Sequence, residues 1–555
     1  MPNKTEIIIL LEGIADLMEF LGENTFKVKA YRNGSEAIRK SDVDFNLICE
    51  QKKLDSLKGI GKGLQSVIYE YCENGSSTLY NQLKDEVPDG IEELLNIRGL
   101  GAKKIFFLYQ NLKIKTIDEL EEACLNDRLL EVKGFGEKTQ QKILNEIEKF
   151  KKNKHYILLS SAINYSDDVL SKLNDIKSIR KKELSGSLRR GMEVISEIEV
   201  VVLTKDIQGL SEELKYFYAF EQEEEIITIP NYYPLPVKLY LAKSESQFNL
   251  ALFISTGSKE FLSKQEFVLN LDNVKSENEI FESNNIPYVI PSMREQEYLE
   301  AKKEFTKNSD LNIEGYKGLL HFHTEYSDGR YSIEEMVTSA RDMGCEYAFV
   351  CDHSKAAFYA NGLNEERILL QSKEIKEISK KINFPIYQGI ECDILKDGAL
   401  DFADEVLAQL NFTVVSVHSV FTLDEREMTK RIIKAVENPY ADILAHPTGR
   451  LLLYREPYKI NIKKVIDACA ANQVAVEINS SPNRLDLDWR NIYYAREKGC
   501  LFSINSDAHL LSELPFINYG IMMGKKGGLM KEEVINYYDL PKFKTFCNRK
   551  VRKIK

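Results

Sequence analysis

Six of the seven histidines in this chain fall between residues 321 and 509, each at or just beyond the end of a short apolar run. Seven such runs can be read: GLL from Gly318, YAFV from Tyr347, PIYQGI from Pro385, FTVVSV from Phe412, DILA from Asp442, VAVEI from Val474 and LFSIN from Leu501. Amphipathic helical stretches separate them, which is the alternation of a parallel α/β barrel. Parallel barrel strands all end on one face, so residues placed just after them converge in space. The first run leads to His321 and His323, the second to Asp352 and His353, and the third to Glu391. The fourth leads to His418, the fifth to His446, and the seventh to Asp507 and His509. Mixed imidazole and carboxylate groups suit Zn²⁺, Mn²⁺ or Fe²⁺ better than Mg²⁺ or Ca²⁺, which prefer oxygen shells. These groups are too many for one ion and enough for three if a carboxylate bridges. Such a cluster acidifies a bound water and neutralises phosphate oxygens, which is the equipment of a phosphoesterase. Arg450 in HPTGR and Arg484 in SPNRLDL follow the fifth and sixth runs and are candidate bidentate phosphate clamps.

The first 150 or so residues have helical periodicity and almost no strand signal. Within them one pattern recurs three times: SLKGIGKGLQSVIYEY from Ser56, LLNIRGLGAKKIFFLY from Leu94 and LLEVKGFGEKTQQKIL from Leu129. Each copy places two glycines (Gly59 and Gly61, Gly99 and Gly101, Gly134 and Gly136) ahead of a lysine (Lys62, Lys103, Lys138) and an amphipathic helix. The glycines permit a tight turn with exposed backbone, and the helix start offers unpaired N–H groups suited to phosphate. Residues from about 155 to 310 change to mixed strand and helix, with IEVVVL, IITI and PVKLYL as strands.

A net charge of −11 gives no general support for nucleic-acid binding, but local lysines and backbone amides can hold phosphate on an acidic protein. The basic stretches KKNKH at 151–155 and RKVRKIK at 549–555 read as solvated faces. No apolar run approaches a membrane span, and the amino-terminal stretch is broken by Glu6, Glu12 and Asp16 at helical spacing. Nine cysteines without a regular framework fit a reducing, cytoplasmic setting.

HFHTEYSDG, CDHS, GIECDIL, VHS, AHPTGR and NSDAH, in that order, resemble the motifs of the PHP (polymerase and histidinol phosphatase) domain. The resemblance implies that His321, His323, Glu391 and Asp507 hold one ion. It implies that Asp328, His353 and a bridging Glu391 hold a second, and that His418, His446 and His509 hold a third. The three repeats are similar to helix-hairpin-helix motifs, which grip the DNA backbone without reading sequence. LGENTFKVKAYRNGSEAIRK resembles a small domain that grips gapped DNA, and GSLRRGMEVISEIEVVV with STGSKEF resembles a nucleotidyltransferase palm and the start of a thumb. In this order, the whole chain is similar to the bacterial family X DNA polymerases that carry a carboxy-terminal PHP domain.

The resemblance implies a multidomain fold. A small helical DNA-binding domain spans 1–85 and a fingers-like helical region 86–150. An α+β palm and thumb spans 151–310, and a (β/α)7-type PHP barrel spans 315–555. Gly186, Ser187 and Arg190 match the stretch that cradles a triphosphate, but the paired aspartates of the palm read Glu197 and Glu199, and the third reads Lys238. Lengthening a carboxylate by a methylene displaces Mg²⁺ ligands, and an ammonium cannot ligate at all. The expectation is a palm without Mg²⁺ and with polymerisation lost, in which Lys238 forms an ion pair with the two glutamates. The aromatic residues expected before TGS are replaced by Ile254 and Ser255, and the lysine of a lyase-competent small domain by Val67. The expected activity is metal-dependent 3′–5′ removal of DNA ends by a monomer acting on gapped, nicked or 3′-ended DNA. The competing readings are an active gap-filling polymerase with an editing nuclease, a small-molecule phosphatase, and a non-catalytic DNA-end-binding protein.

Overall fold

The structure is a computed structural model that describes residues 4–39, 41, 45–216, 218–230, 234–264, 267 and 274–547. The basic stretch 549–555 lies outside the described residues. The chain divides into two compact units, Met1–His155 and Tyr156–Lys555.

Among the described residues of the first unit, every regular element is helical. Its core gathers one apolar stripe from each helix, including Ile7, Leu11, Ile14, Ile38, Ile68, Ile105, Leu120 and Ile147. The three glycine repeats adopt one shared geometry. Gly59, Gly99 and Gly134 have φ of 102°, 81° and 99°, a conformation that disfavours any side chain. Gly61, Gly101 and Gly136 are the N-caps of helices Lys62–Asn74, Ala102–Leu112 and Glu137–Asn153, without any side-chain capping bond. A Cβ added at these three caps would meet nothing within 4 Å, so the side-chain side of each cap is open. Lys62, Lys103 and Lys138 are exposed beside them. Val67 is buried in the first of these helices.

The second unit contains two larger sheets. A five-stranded sheet is built from β1 (Lys181–Leu184), β2 (Ile198–Leu203), β3 (Glu221–Glu223), β4 (Ile226–Ile229) and β5 (Val237–Ala242), in the order β1-β2-β5-β4-β3. Only β2 and β5 run parallel, and their register places Glu199 opposite Lys238. The seven strands read from the sequence are all present: β6 (Gly318–Leu319), β7 (Tyr347–Val350), β8 (Ile386–Asp393), β9 (Phe412–Ser416), β10 (Ile443–Leu444), β11 (Ala475–Asn479) and β12 (Phe502–Asn505). They pair in sequence order, parallel throughout. A bridge between Phe322 and Ala508 brings the end of the last strand beside the end of the first, so the sheet nearly closes. Strands β7, β9, β11 and β12 are buried at every position, as expected when a barrel's two faces are both covered. Inside, Tyr347, Phe349 and Phe412 pack on Phe543 of the last helix, at ring distances of 5.4, 5.0 and 5.5 Å. That aromatic plug fills one end and leaves the carboxyl ends of the strands as the open face.

The two sheets of this unit are joined by buried charge. Lys526, fully buried, donates to Glu295 Oε1 at 2.6 Å and to the Arg190 carbonyl at 3.2 Å, and lies over the Trp489 ring at 4.3 Å. Glu193 accepts from Trp489 Nε1 at 2.9 Å and from Arg490 at 2.5 Å.

Candidate metal centre

Each ligand is aimed by the strand that precedes it. His321 and His323 flank Phe322, which is buried in the core, so strand alternation sends both imidazoles to the opposite side. Glu391 lies within β8, and its carboxylate is faced by five imidazoles. Oε1 is 3.0 Å from His446 Nε2 and 3.3 Å from His418 Nε2. Oε2 is 2.8 Å from His353 Nδ1, 3.5 Å from His323 Nε2 and 3.6 Å from His321 Nε2. Asp507 Oδ1 lies 2.8 Å from His323 Nε2, and Asp328 Oδ1 lies 3.2 Å from His509 Nε2. Two of these positions, His446 (φ 29°) and Asp507 (φ 55°), hold left-handed backbone that non-glycine residues rarely adopt. Strain of this kind costs of order 1–3 kcal/mol and persists where the surroundings demand it.

Three groups have ligand atoms within 4.8 Å of one another: His321, His323, Glu391 and Asp507; His323, Asp328, His353 and His509; and His353, Glu391 and His418. The first matches the set the sequence implied for one ion. The implied third set does not assemble, because His509 lies with Asp328 and His353, away from His418 and His446. The cause is barrel closure, which seats the end of the seventh strand beside the first. His418 and His446 instead converge on Glu391 Oε1. Asp352 is not among the ligands either. Its carboxylate accepts from Thr324 N–H at 2.7 Å, Thr324 Oγ1 at 2.6 Å and Gln371 at 2.6 Å, and so fixes the loop that carries Asp328.

The donor set fits metal ions by a direct test. Fourteen buried side-chain atoms among the described residues lack a hydrogen-bond partner. Six belong to this cluster: His321 Nε2, His323 Nδ1, Asp328 Oδ1, His353 Nδ1, Glu391 Oε2 and His446 Nδ1. An unpaired buried polar atom costs about 1–3 kcal/mol, so so many in one cavity call for cations. Burial opposes charge on Glu391 and Asp507, yet His418, His353 and His321 hold the first well below the carboxylate range, and His321 and His323 the second. Burial, with His509 and His353 beside it, pushes His323 down to about 3, the neutral form a metal requires. Against burial, the neighbouring carboxylates push His418 up to about 10, His509 up to about 9 and His321 well up, so ions would have to displace protons from those three.

Two supporting carboxylates escaped the sequence reading. Glu477 Oε1 lies 2.8 Å from His321 Nδ1 while its Oε2 accepts the His446 N–H at 2.9 Å, and Asp393 Oδ1 lies 2.5 Å from His418 Nδ1. A carboxylate on the far nitrogen of a metal-binding imidazole fixes its tautomer and orientation. The signal was there: Glu477 sits near the end of the one run assigned no ligand, and Asp393 is two residues past Glu391 on the same strand face.

The arginines part company. Arg450 is buried, with Nε donating to the Arg484 carbonyl at 2.9 Å, one amino group to Asp488 at 2.5 Å and the other to the Leu485 carbonyl. Its guanidinium is thus committed inside the protein, 4.0 Å from Glu193 at the joint between the sheets, and not free to clamp phosphate. Arg484 is half-buried and stands in the field of the site. Partial burial, then Asp393, Glu391 and Asp328, push the Tyr359 phenol up, and Arg484 pulls it the other way.

The five-stranded sheet presents a different carboxylate site. Glu199 Oε1 accepts from Tyr240 at 2.8 Å and Oε2 from the Ser187 N–H at 3.3 Å. Gly186 has φ 62°, and a Cβ there would fall 1.5 Å from Glu199 Oε2, so only glycine admits this carboxylate. Burial, and next to it Glu197, raise the Glu199 carboxyl above its ordinary value. The ion pair expected between Lys238 and the glutamates does not form among the described residues. The longer Glu199 side chain reaches the Gly186 turn and the tyrosine hydroxyl, and Lys238 Nζ lies 5.4 Å from the centre of the Tyr240 ring. Arg190 donates to Glu295 at 2.8 Å and to the Thr256 carbonyl at 2.8 Å.

Comparison with known proteins follows this division. Residues 1–77 match the helix-hairpin-helix domain model, 91–149 a SAM-like helix-hairpin-helix tandem, and 320–481 the PHP domain. A probable phosphatase of Thermoanaerobacter sp. (strain X514) is 29% identical over 42% of this chain and 95% of its own length. One of Acetivibrio thermocellus is 28% identical over 42% and 96%. Fold and site therefore define a metal-binding PHP barrel joined to DNA-binding helical hairpins. The DNA polymerase/3′-5′ exonuclease PolX of Bacillus subtilis is 33% identical over 99% of this chain and 100% of its own length. The chain belongs to the PolX family.

Proposed function

We propose that the protein removes nucleotides from DNA 3′ ends by metal-dependent phosphodiester hydrolysis in the barrel, and that its palm does not polymerise. The observation that carries the first half is the buried cluster of imidazoles and carboxylates, with three groups of ligand atoms within 4.8 Å of one another and six buried atoms left unpaired. His321, His323, Glu391 and Asp507 would hold one ion, Asp328, His353 and His509 a second, and His418 and His446 with Glu391 a third. Bound Mn²⁺, Zn²⁺ or Fe²⁺ supplies an activated water and charge neutralisation for the phosphate. Glu477 and Asp393 orient imidazoles, and Arg484 is placed to meet a phosphate oxygen. The hairpins are assigned to hold DNA: their helix-start amides and Lys62, Lys103 and Lys138 suit backbone phosphates and carry no sequence preference. We assign the small helical domain to 1–85, the second hairpin region to 86–150, palm and thumb to 151–310 and the hydrolase to 315–555.

The second half is supported by Glu199, whose carboxylate already takes the Ser187 N–H that would meet a triphosphate, and by Arg190, which is bound to Glu295. With Lys238 in place of an acid, two Mg²⁺ lack a ligand set. The test is a labelled, 3′-recessed primer–template with Mn²⁺, with and without nucleotides. Shortening in both cases is expected, and extension when nucleotides are present would refute the palm assignment.

A further inference from the structure

The loop that leaves the metal centre after His353 does something unusual with its aromatic residues. It runs from Lys355 to Gly362 and returns so that the Leu363 N–H donates to the His353 carbonyl at 2.8 Å. Both ends are pinned. Ala356 N–H donates to Asp401 at 2.7 Å, and Arg367 donates to the Asn361 carbonyl at 2.6 Å. Asn361 in turn donates to the carbonyls of Tyr326 and Ser327, beside the ligand Asp328, at 3.4 and 3.5 Å. At the tip, Ala357 and Ala360 are 1% exposed, whereas Phe358 and Tyr359 between them are 85% and 63% exposed. A flexible tip would fold such rings back onto apolar surface. Here the buried alanines anchor the turn and leave both rings exposed on the loop that leaves the ligand face after His353.

We propose that Phe358 and Tyr359 are a stacking platform for the nucleobases at the DNA 3′ end, positioning the scissile phosphodiester over the ligand cluster. This rests on the reading of the barrel as a 3′-end hydrolase. Aromatic faces bind any base, which suits an enzyme that must process every terminal nucleotide. The two ring planes stand at 77° with centroids 6.2 Å apart, so they cannot stack on one base together. Tyr359, whose phenol stands in the field of Asp393, Glu391 and Asp328, meets the terminal base and Phe358 the base before it. Asp328, Glu391, Asp393 and Asp507 oppose the approach of a phosphate to the ligand cluster without metal, so a contact to the base adds a hold on the 3′ end that does not depend on the ions.

The test uses the full chain. With metal removed by chelator, single-stranded oligonucleotides carrying 2-aminopurine at the 3′ terminus are titrated with parent, Tyr359→Ala, the double variant Phe358→Ala with Tyr359→Ala, and Tyr359→Phe. Stacking quenches the fluorophore. Quenching is expected for parent and Tyr359→Phe, and its loss for both alanine variants. With Mn²⁺ restored, KM is compared on ends bearing a normal terminal base and on ends bearing a base-less tetrahydrofuran. The parent should prefer the base-bearing end by about tenfold or more, and Tyr359→Ala, which keeps Phe358 for the base before it, should lose that preference. An equal fall on both ends, or quenching that survives in the double variant, would overturn the platform. Absence of cleavage of either end by the parent would sink the hydrolase reading instead, and the quenching experiment would still decide whether the rings take a base.

Discussion

The barrel and the palm, packed in one compact unit, each gather acidic side chains around a cavity, and they treat them in opposite ways. In the barrel, Glu391 faces five imidazoles, yet one of its oxygens has no hydrogen-bond partner, and four imidazole nitrogens nearby are also unpaired. In the palm, Glu199 is satisfied on both oxygens by a tyrosine and a backbone amide. A cavity meant for cations leaves its donors unmet by protein, because any internal partner would compete with the ion. A cavity that holds no cations, as proposed for the palm, can close its own hydrogen bonds. The difference is a physical signature of use that ligand identity alone does not carry.

The largest expected effect tests the barrel side. His321→Ala with His323→Ala should lower Mn²⁺-dependent hydrolysis by at least ~10³-fold, as expected when an activated water is lost. Parent-level degradation by that variant would disprove the site. Next is the support beneath the ligands. Glu477→Gln keeps the size but weakens the hold on His321, and should cost about 10–100-fold in metal affinity or rate, read by metal titration. Loss of fold with no change in metal affinity would make Glu477 a packing residue only. Smaller again is the effect of the hairpins. Replacing Lys62, Lys103 and Lys138 by Gln should weaken DNA binding and lower its salt dependence by up to about one unit of log–log slope per lost phosphate contact. Hydrolysis of a small phosphodiester should not change. An unaltered salt slope would exclude these lysines from the interface. The smallest change is expected in the palm. With the nuclease silenced through His321 and His323, the natural palm should incorporate no nucleotide. Asp at 197, 199 and 238 together should restore slow extension at most, given Ile254 and Ser255 beneath the sugar. Robust extension by the natural palm would erase the contrast between the two cavities.

The barrel was legible because its strands are buried on both faces and so read as apolar runs, and because histidine is rare elsewhere in the chain. Helical hairpins were legible for a similar reason: the required left-handed turn restricts the first position to glycine, and repetition makes it visible. What the sequence concealed was partnership. The resemblance implied that His418, His446 and His509 form a set, but barrel closure returns residue 509 to the first strand. Arg450 looked like a clamp from its place after a strand, and only packing reveals that Asp488 and two carbonyls absorb it. The ion pair of Lys238 failed because a glycine turn and a tyrosine offered Glu199 better geometry, and neither is visible from charge alone.

The buried junction of Lys526, Glu295, Arg190, Glu193 and Trp489 also bears on how this gene can change. If the palm does not polymerise, as proposed, its chemistry no longer requires its present size. Here its arginine and acidic residues form part of the wall against which the barrel's tryptophan and lysine are buried, so trimming it would strand a charge and an aromatic ring. Shortening this chain toward a free-standing hydrolase therefore requires resurfacing the barrel at Trp489 and Lys526 first, and a single deletion cannot accomplish it.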